Sequence, residues 1–429
     1  MPRRNAYLLL AVGLLSVVCY HKVHKSRYSQ SLVDVFELVQ RKYVEPIDGV
    51  SLFGGAVEGM MDQLDENSRY FDRLYLKEFK ESLDQQFGGV GMEVSLDPES
   101  KQPLVMSPLV GSPAYEAGIR AGDRILAIDG RSTAGNSLDE LIKRLRGEPG
   151  QRVTVTVLHA DEDKPVDIAI VRAVIQLDTV LGDSRNPDNT WNFFLQGYDR
   201  IGYVRLSSFS EHTTQELAAA LRWLSQRQMR GLILDLRNNP GGLLEDAVAI
   251  CDLFVREGTI VTTRGRNQQV KKAYSASGDA PYGDLPLAVI VNQYSASAAE
   301  ILAACLQDHH RAIVVGERSF GKGTVQELIE LDEDQGAIKL TTASYWRPSG
   351  KNIHKTKDAD RDDPWGVSPD KGFQVLVDKD DLVRWIRWRH QRDARHASPN
   401  GHVEESSKPF ADPPLIKAAE YLDQMVDKK

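Results

Sequence analysis

The sequence predicts an α/β protein: a layered α/β core, a compact β-rich module inserted ahead of it, and helical segments at both ends. Three patterns carry that prediction. Beyond residue 174, short apolar runs alternate with stretches of helical period. Between residues 85 and 173, short alternating segments are separated by glycine, proline and Asp-Gly turns. In residues 28–84 and near the C-terminus, apolar residues recur at three- and four-residue spacing.

Taken in order, the first element is a short apolar run, Ala6 to Val18. Arg3 and Arg4 precede it, and Lys22, Lys25 and Arg27 follow. A basic start before a short apolar stretch is the pattern of a secretory signal. No small-residue cleavage site follows, and Val18 before Cys19 is too large for the usual lipoprotein signal. The expectation is an uncleaved signal anchor over residues 1–27 rather than a cleaved peptide. The run is nevertheless shorter than the roughly 20 residues of a spanning helix. Such an anchor implies an inner-membrane-tethered protein with its globular part in the periplasm, an organellar lumen being the alternative.

Leu32, Val35, Phe36, Val39 and Tyr43 then mark one helix, and residues 51–64 a second. In the 85–173 module, Phe87-Gly88-Gly89-Val90-Gly91 reads as a glycine-rich turn leading into the strand Met92-Glu93-Val94. Leu138, Leu141, Ile142 and Leu145 form a helical face, and Val153, Val155 and Val157 a strand. From 174 to 392, strands at Ile201–Leu206, Leu232–Leu236, Leu287–Val291, Ala312–Val315 and Ile338–Ala343 alternate with helices. Asp183–Asn192 reads as an exposed loop or hairpin. Residues 393–411 read as a polar linker, and Pro413–Val426 as an amphipathic helix closing the 393–429 segment.

Composition narrows the function. The net charge of −8 argues against general affinity for nucleic-acid phosphates. The three cysteines, Cys19, Cys251 and Cys305, form no C-x-x-C pair, and no H-E-x-x-H occurs, so neither a zinc knuckle nor zinc hydrolysis is supported. No metal or other cofactor is expected. His309 and His310 sit in a polar turn and read as surface residues. The Arg384–Arg389 stretch reads as an ordinary amphipathic helix rather than a membrane-surface element.

Two segments carry chemistry-bearing residues just after apolar strands. In Asn292-Gln293-Tyr294-Ser295-Ala296-Ser297-Ala298-Ala299-Glu300, Ser297 and Glu300 have capping-box spacing, so a plain helix cap explains them in isolation. In Gly316-Glu317-Arg318-Ser319-Phe320-Gly321-Lys322-Gly323-Thr324-Val325-Gln326, the spacing approaches a phosphate loop. Gly323, however, stands where such a loop needs Ser or Thr.

Together these segments resemble the carboxyl-terminal processing peptidases, also called tail-specific proteases. Asp235-Leu236-Arg237-Asn238-Asn239-Pro240-Gly241-Gly242, Ser349-Gly350 and Gly366-Val367-Ser368-Pro369-Asp370 extend the likeness over nearly the whole chain after residue 27. The module at 85–173 is similar to a PDZ domain, chiefly through Gly118-Ile119-Arg120-Ala121-Gly122-Asp123-Arg124-Ile125-Leu126-Ala127-Ile128-Asp129-Gly130. The resemblance implies a ClpP/crotonase-like layered core. It implies Ser297 as nucleophile, Lys322 as base, Gln326 as a third member, and an oxyanion hole from the N–H groups of Gly242 and Ala298. A PDZ module implies that Gly88, Gly89, Val90, Gly91 and Met92 receive a peptide with a free C-terminal tail. The expected partners are therefore protein or peptide substrates, with room for an adaptor protein and a homodimer, and no nucleic acid.

The chemistry of such a pair sets a condition. A serine hydroxyl needs a neighbouring base. An ordinary lysine, with a pKa of about 10.4, is protonated at neutral pH. Bringing it to about 7 takes roughly 4.6 kcal/mol. Burial can supply a shift of that size, and Phe320 and Val325 are the apolar neighbours expected to provide it. The competing reading is a PDZ scaffold on an inactive peptidase fold.

Overall fold

A computed structural model describes residues 12–13, 16, 27–97, 100–109, 111–160, 162–186, 188, 190–332, 335–360, 362–393 and 410–426. The expected anchor lies almost wholly outside them. Among the described residues no helix is long and apolar enough to cross a membrane. The chain forms two compact units, residues 1–76 with 326–341, and residues 77–325 with 342–429.

In the first unit, helices Arg27–Lys42 and Gly49–Met61 are followed by strand Arg69–Phe71. Asp48 caps the second helix by accepting the Ser51 N–H at 2.9 Å. The short strand, which the helical reading of residues 28–84 overlooked, pairs antiparallel with the chain at Ala337–Lys339. Phe71 is its buried anchor.

In the second unit, the inserted module is built on strands Met92–Leu96, Pro103–Pro108, Arg124–Ile128, Arg152–Leu158 and Val166–Val171, hydrogen-bonded in that order. Helix Leu138–Leu145 packs its Leu141 and Leu145 into the module's core with Val105, Ile125, Val155 and Ile170. Ser137 and Glu140 close a reciprocal capping box at its start. Where the chain enters and leaves the module, strands Gln86–Gly89 and Ala173–Gln176 pair antiparallel. Met92–Leu96 stands at one end of the sheet order.

The layered core of this unit is a sheet in the order Val180–Leu181, Ile201–Leu206, Gly231–Asp235, Leu287–Val291, Ile313–Gly316. The last four strands run parallel. They read as unbroken apolar runs because both faces are covered. Val204, Leu232, Leu234, Val289 and Val291 face helices Thr213–Gln226, Leu244–Asp252 and Ala298–Asp308. Ile201, Tyr203, Ile233, Ala288 and Ile290 face Leu415, Ala418, Ala419 and Leu422 of helix Pro413–Val426. That alternation follows from the two-residue period of a strand. The C-terminal helix is thus a layer of the core rather than an appendage. The Asp183–Asn192 segment is a hairpin, Ser184–Arg185 pairing with Trp191–Asn192. Helix Lys379–Asp393 buries Trp385 and Arg389, so these two residues serve packing.

Leu422 is fully buried against the sheet. Leu422→Ala should lower the unfolding free energy by about 2–5 kcal/mol, the usual cost of such a cavity. Denaturant titration of the purified variant measures it, with a midpoint unchanged from the parent counting against this layer assignment.

Candidate active site

The site is assembled where parallel strands end. Strand Leu287–Val291 leads into the loop 292–297, and helix Ala298–Asp308 follows. The loop is tied down at several points. Ser295 Oγ donates to Leu236 O at 2.8 Å, and the Ala296 N–H donates to Asn239 O at 2.9 Å. Asn292 Oδ1 accepts the Asn238 N–H at 3.0 Å, while its Nδ2 donates to Asn238 Oδ1 at 2.8 Å. The 292–297 loop and the 238–242 turn are therefore one hydrogen-bonded body.

Ser297 sits at φ 55°, ψ −115°, just ahead of the helix. A positive φ in a residue with a β-carbon costs about 1–3 kcal/mol and persists only where the surroundings impose it. Here they do. Glu300, fully buried, accepts the Ser297 N–H at 2.8 Å through Oε2. The same oxygen accepts the Lys322 N–H at 2.8 Å. Oε1 accepts the Ser319 hydroxyl at 2.5 Å and the Gly321 N–H at 2.7 Å. One carboxylate thus holds both segments that the sequence singled out. Two further bonds reinforce the junction: the Phe320 N–H donates to Ser295 O at 2.9 Å, and the Val367 N–H to Ser319 Oγ at 2.7 Å. Burial pushes the Glu300 carboxyl above its ordinary range, and the donors from Ser319, Gly321, Ser297 and Lys322 oppose that rise.

The glycine turn approaches from the other side. A β-carbon at Gly241 would lie 2.7 Å from Ser297 Cβ and 3.0 Å from Ala298 N, so only glycine permits this contact. The Gly241 N–H is already given to Asn239 Oδ1 at 2.8 Å. Among the described residues, the N–H groups of Gly242 and Ala298 have no hydrogen-bond acceptor. Gly242 itself packs on Phe209, whose N–H donates to Gly241 O at 3.0 Å and whose carbonyl accepts the Leu243 N–H at 2.8 Å.

Other expectations fare differently. Phe320 does not bury the lysine loop: it is 54% exposed. Its backbone N–H is held by Ser295 O. Val325 packs against the core, and Lys322 itself is half-buried. Gln326 belongs to the other compact unit, where its Nε2 donates to Thr341 Oγ1 at 3.3 Å. His310 is exposed, but His309 is half-buried, with Nε2 2.8 Å from Thr259 O.

In the inserted module the glycine-rich turn is shorter than the sequence suggested. Phe87, Gly88 and Gly89 are strand, because Gly88 fits against Gly147 O, where a β-carbon would stand only 2.2 Å away. The turn proper is Val90–Gly91. Val90 O accepts the Ala114 N–H at 2.8 Å, and Gly91 O accepts Ser112 Oγ at 2.7 Å. Met92 then opens the edge strand.

The functional residue that sequence reasoning undervalued is Glu300. Its S-x-x-E spacing was visible, but a cap motif gives no sign of contacts 19 to 22 residues away.

Comparison with known proteins matches this architecture. A peptidase family S41 profile covers residues 200–371, and a PDZ domain profile covers residues 104–159. A carboxy-terminal-processing protease of Bartonella bacilliformis is 38% identical over 379 residues, 84% of this chain and 81% of that protein. A carboxyl-terminal-processing protease of Synechocystis sp. is 40% identical over 342 residues, 78% of this chain and 74% of that protein. The carboxy-terminal processing protease CtpB of Bacillus subtilis is 37% identical over 323 residues, 75% of this chain and 64% of that protein. The chain is thus a serine peptidase carrying a PDZ module. The chain belongs to the carboxy-terminal-processing proteases of family S41.

Glu300→Gln places an amide N–H₂ against backbone donors that now share a carboxylate. It should lower kcat by about 10²-fold through misplacement of the loops. A pH effect accompanies it. A carboxyl whose folded pKa is raised stabilises the fold below its unfolded value, near 4.5, and that contribution is lost as pH rises through the folded pKa. Thermal melts of parent and Glu300→Gln across pH 4 to 8 should therefore differ in slope above pH 4.5. Parallel curves would remove Glu300 from the account of stability.

Proposed function

We propose that this peptidase cleaves proteins with Ser297 as nucleophile and Lys322 as general base, and chooses them by their C-terminal tails through the PDZ module. The observation that carries the reading is the shared Glu300 oxygen, 2.8 Å from the backbone nitrogens of both residues. Two backbone nitrogens on one acceptor atom bring their Cβ-bearing residues into one small region. The helix N-terminus at Ser297 and the N–H groups of Ala298 and Gly242 favour an oxyanion there. Gln326 joins the arrangement on sequence grounds, four residues after the lysine.

Tail selection rests on the Met92–Leu96 edge strand beside the Val90–Gly91 turn. An extended peptide can add to such an edge as a further strand, its carboxylate meeting the N–H groups of the turn. Gly88 and Gly89, committed to strand pairing, support that turn rather than contact the tail. The N-terminal basic and apolar run is the basis for placing the enzyme at the inner membrane, facing the periplasm. An adaptor and a homodimer remain compatible with that placement.

Cleavage of a peptide with an apolar tail tests the chemistry. Ser297→Ala and Lys322→Ala should each reduce kcat by about 10⁴-fold or more. Full turnover by either variant would overturn the assignment. Tail selection has its own readout: amidating the substrate's C-terminus should raise KM or lower kcat/KM by about tenfold, equivalent to roughly 1.4 kcal/mol. Equal kinetics on free and amidated tails would remove the PDZ module from substrate choice.

A further inference from the structure

The turn that approaches Ser297 begins at Arg237, and Arg237 is held from two sides. Its Nε donates to Asp235 Oδ1 at 3.0 Å and its Nη2 to Asp235 Oδ2 at 2.6 Å. On the other side, Nη1 donates to Asp412 Oδ1 at 2.9 Å and Nη2 to Asp412 Oδ2 at 2.8 Å. The guanidinium also lies 4.4 Å from the centroid of the Trp385 ring, and Trp385 Nε1 donates to Asp412 Oδ2 at 2.9 Å. Asp412 stands at the head of the C-terminal helix, where its Oδ1 accepts the Leu415 N–H at 3.3 Å. All three charged side chains are nearly inaccessible to solvent.

Pairing alone does not require Asp412 beside Arg237. Asp235 alone neutralises Arg237, and it also accepts the Tyr203 hydroxyl at 2.7 Å. A second carboxylate on the same guanidinium must itself be desolvated, which costs several kcal/mol, although buried Arg205 and Arg389 lie in the same cluster. What Asp412 adds is geometric. Two bidentate pairs fix the guanidinium plane, and that plane fixes the backbone one residue before Asn238, which itself sits at φ 59°. From Asn238 the chain passes through Asn239, whose Nδ2 donates to Leu206 O at 2.8 Å, to Gly241 against Ser297.

We propose that Asp412, on the C-terminal helix, is a positioning residue for the peptidase reaction: through Arg237 it sets the 238–242 turn that faces Ser297. The inference rests on the catalytic reading of Ser297 and deepens it. Asp412 touches no reacting atom. The C-terminal helix thereby has two separable jobs, covering the sheet through Leu415, Ala418, Ala419 and Leu422, and aiming the turn through Asp412.

The test uses the full chain and a tail-bearing peptide substrate, with kcat, KM and Tm measured on each variant. Asp412→Asn should lower kcat by about 10²-fold, the scale expected when a reacting geometry shifts by about 1 Å, with KM within about twofold of the parent. Asp412→Glu should recover part of that loss. Leu422→Ala loosens the same helix without touching Arg237. It should lower Tm at least as much while kcat stays within about threefold. Should Asp412→Asn fail to fold, Trp385→Phe removes the indole N–H that braces Asp412 and should lower kcat in the same direction. Unchanged kcat in Asp412→Asn, a change confined to KM, or an equal fall of kcat in Leu422→Ala would overturn the proposal. A parent protein lacking Ser297-dependent cleavage would instead defeat the catalytic reading on which it rests.

Discussion

The buried carboxylate of Glu300 is the constraint on which the site depends. It is reached by four donors from three places in the chain: Ser297, Ser319, and the adjacent pair Gly321 and Lys322. A carboxylate buried in a protein must be matched by donors or become protonated. That requirement cuts both ways. The donors keep Glu300 tolerable in the interior, and Glu300 keeps the Ser297 loop and the Ser319–Lys322 loop in one arrangement. Ser297 can then hold a backbone torsion that a side chain ordinarily avoids.

Around that centre the support is layered. Asn292 and Asn238 exchange amide hydrogen bonds, so the Ser297 loop and the glycine turn move together. Behind them the parallel sheet is packed on both faces, which gives the strand ends rigid positions. Substrate groups would meet loops that are mobile in few directions, which is what preorganised stabilisation of a developing charge requires. The exposed Phe320 and Tyr294 rings lie on the two loops joined by the bond from Phe320 N–H to Ser295 O.

Much of this was legible in the sequence, for identifiable reasons. Apolar runs such as Leu287–Val291 and Ile201–Leu206 emerge with the expected bounds because both faces of a parallel strand are buried. Pro413–Val426 emerges because its amphipathic period is unbroken. The failures are equally physical. Arg69–Phe71 has no local signal, since its partner is the distant Ala337–Lys339. Phe87–Gly89 reads as a turn from its glycines, yet Gly88 is glycine because Gly147 O presses on it. Phe320 reads as buried because it is apolar, although nothing in the sequence specifies which face of its loop meets solvent. Glu300 reads as a plain cap, and Asp412 draws no attention between linker and helix, because their decisive partners are contributed by other elements.

The central claim is that Glu300 imposes the geometry of Ser297. A high-resolution crystal structure of Glu300→Gln tests it directly, through the Ser297 backbone torsion and the separation of the Ser297 and Lys322 segments. The account predicts that Ser297 leaves the positive φ of 55° seen with Glu300 in place and that the two segments part, while the parallel sheet is unchanged. A variant that kept both the torsion and the junction would show that the loops hold themselves, and would contradict the account.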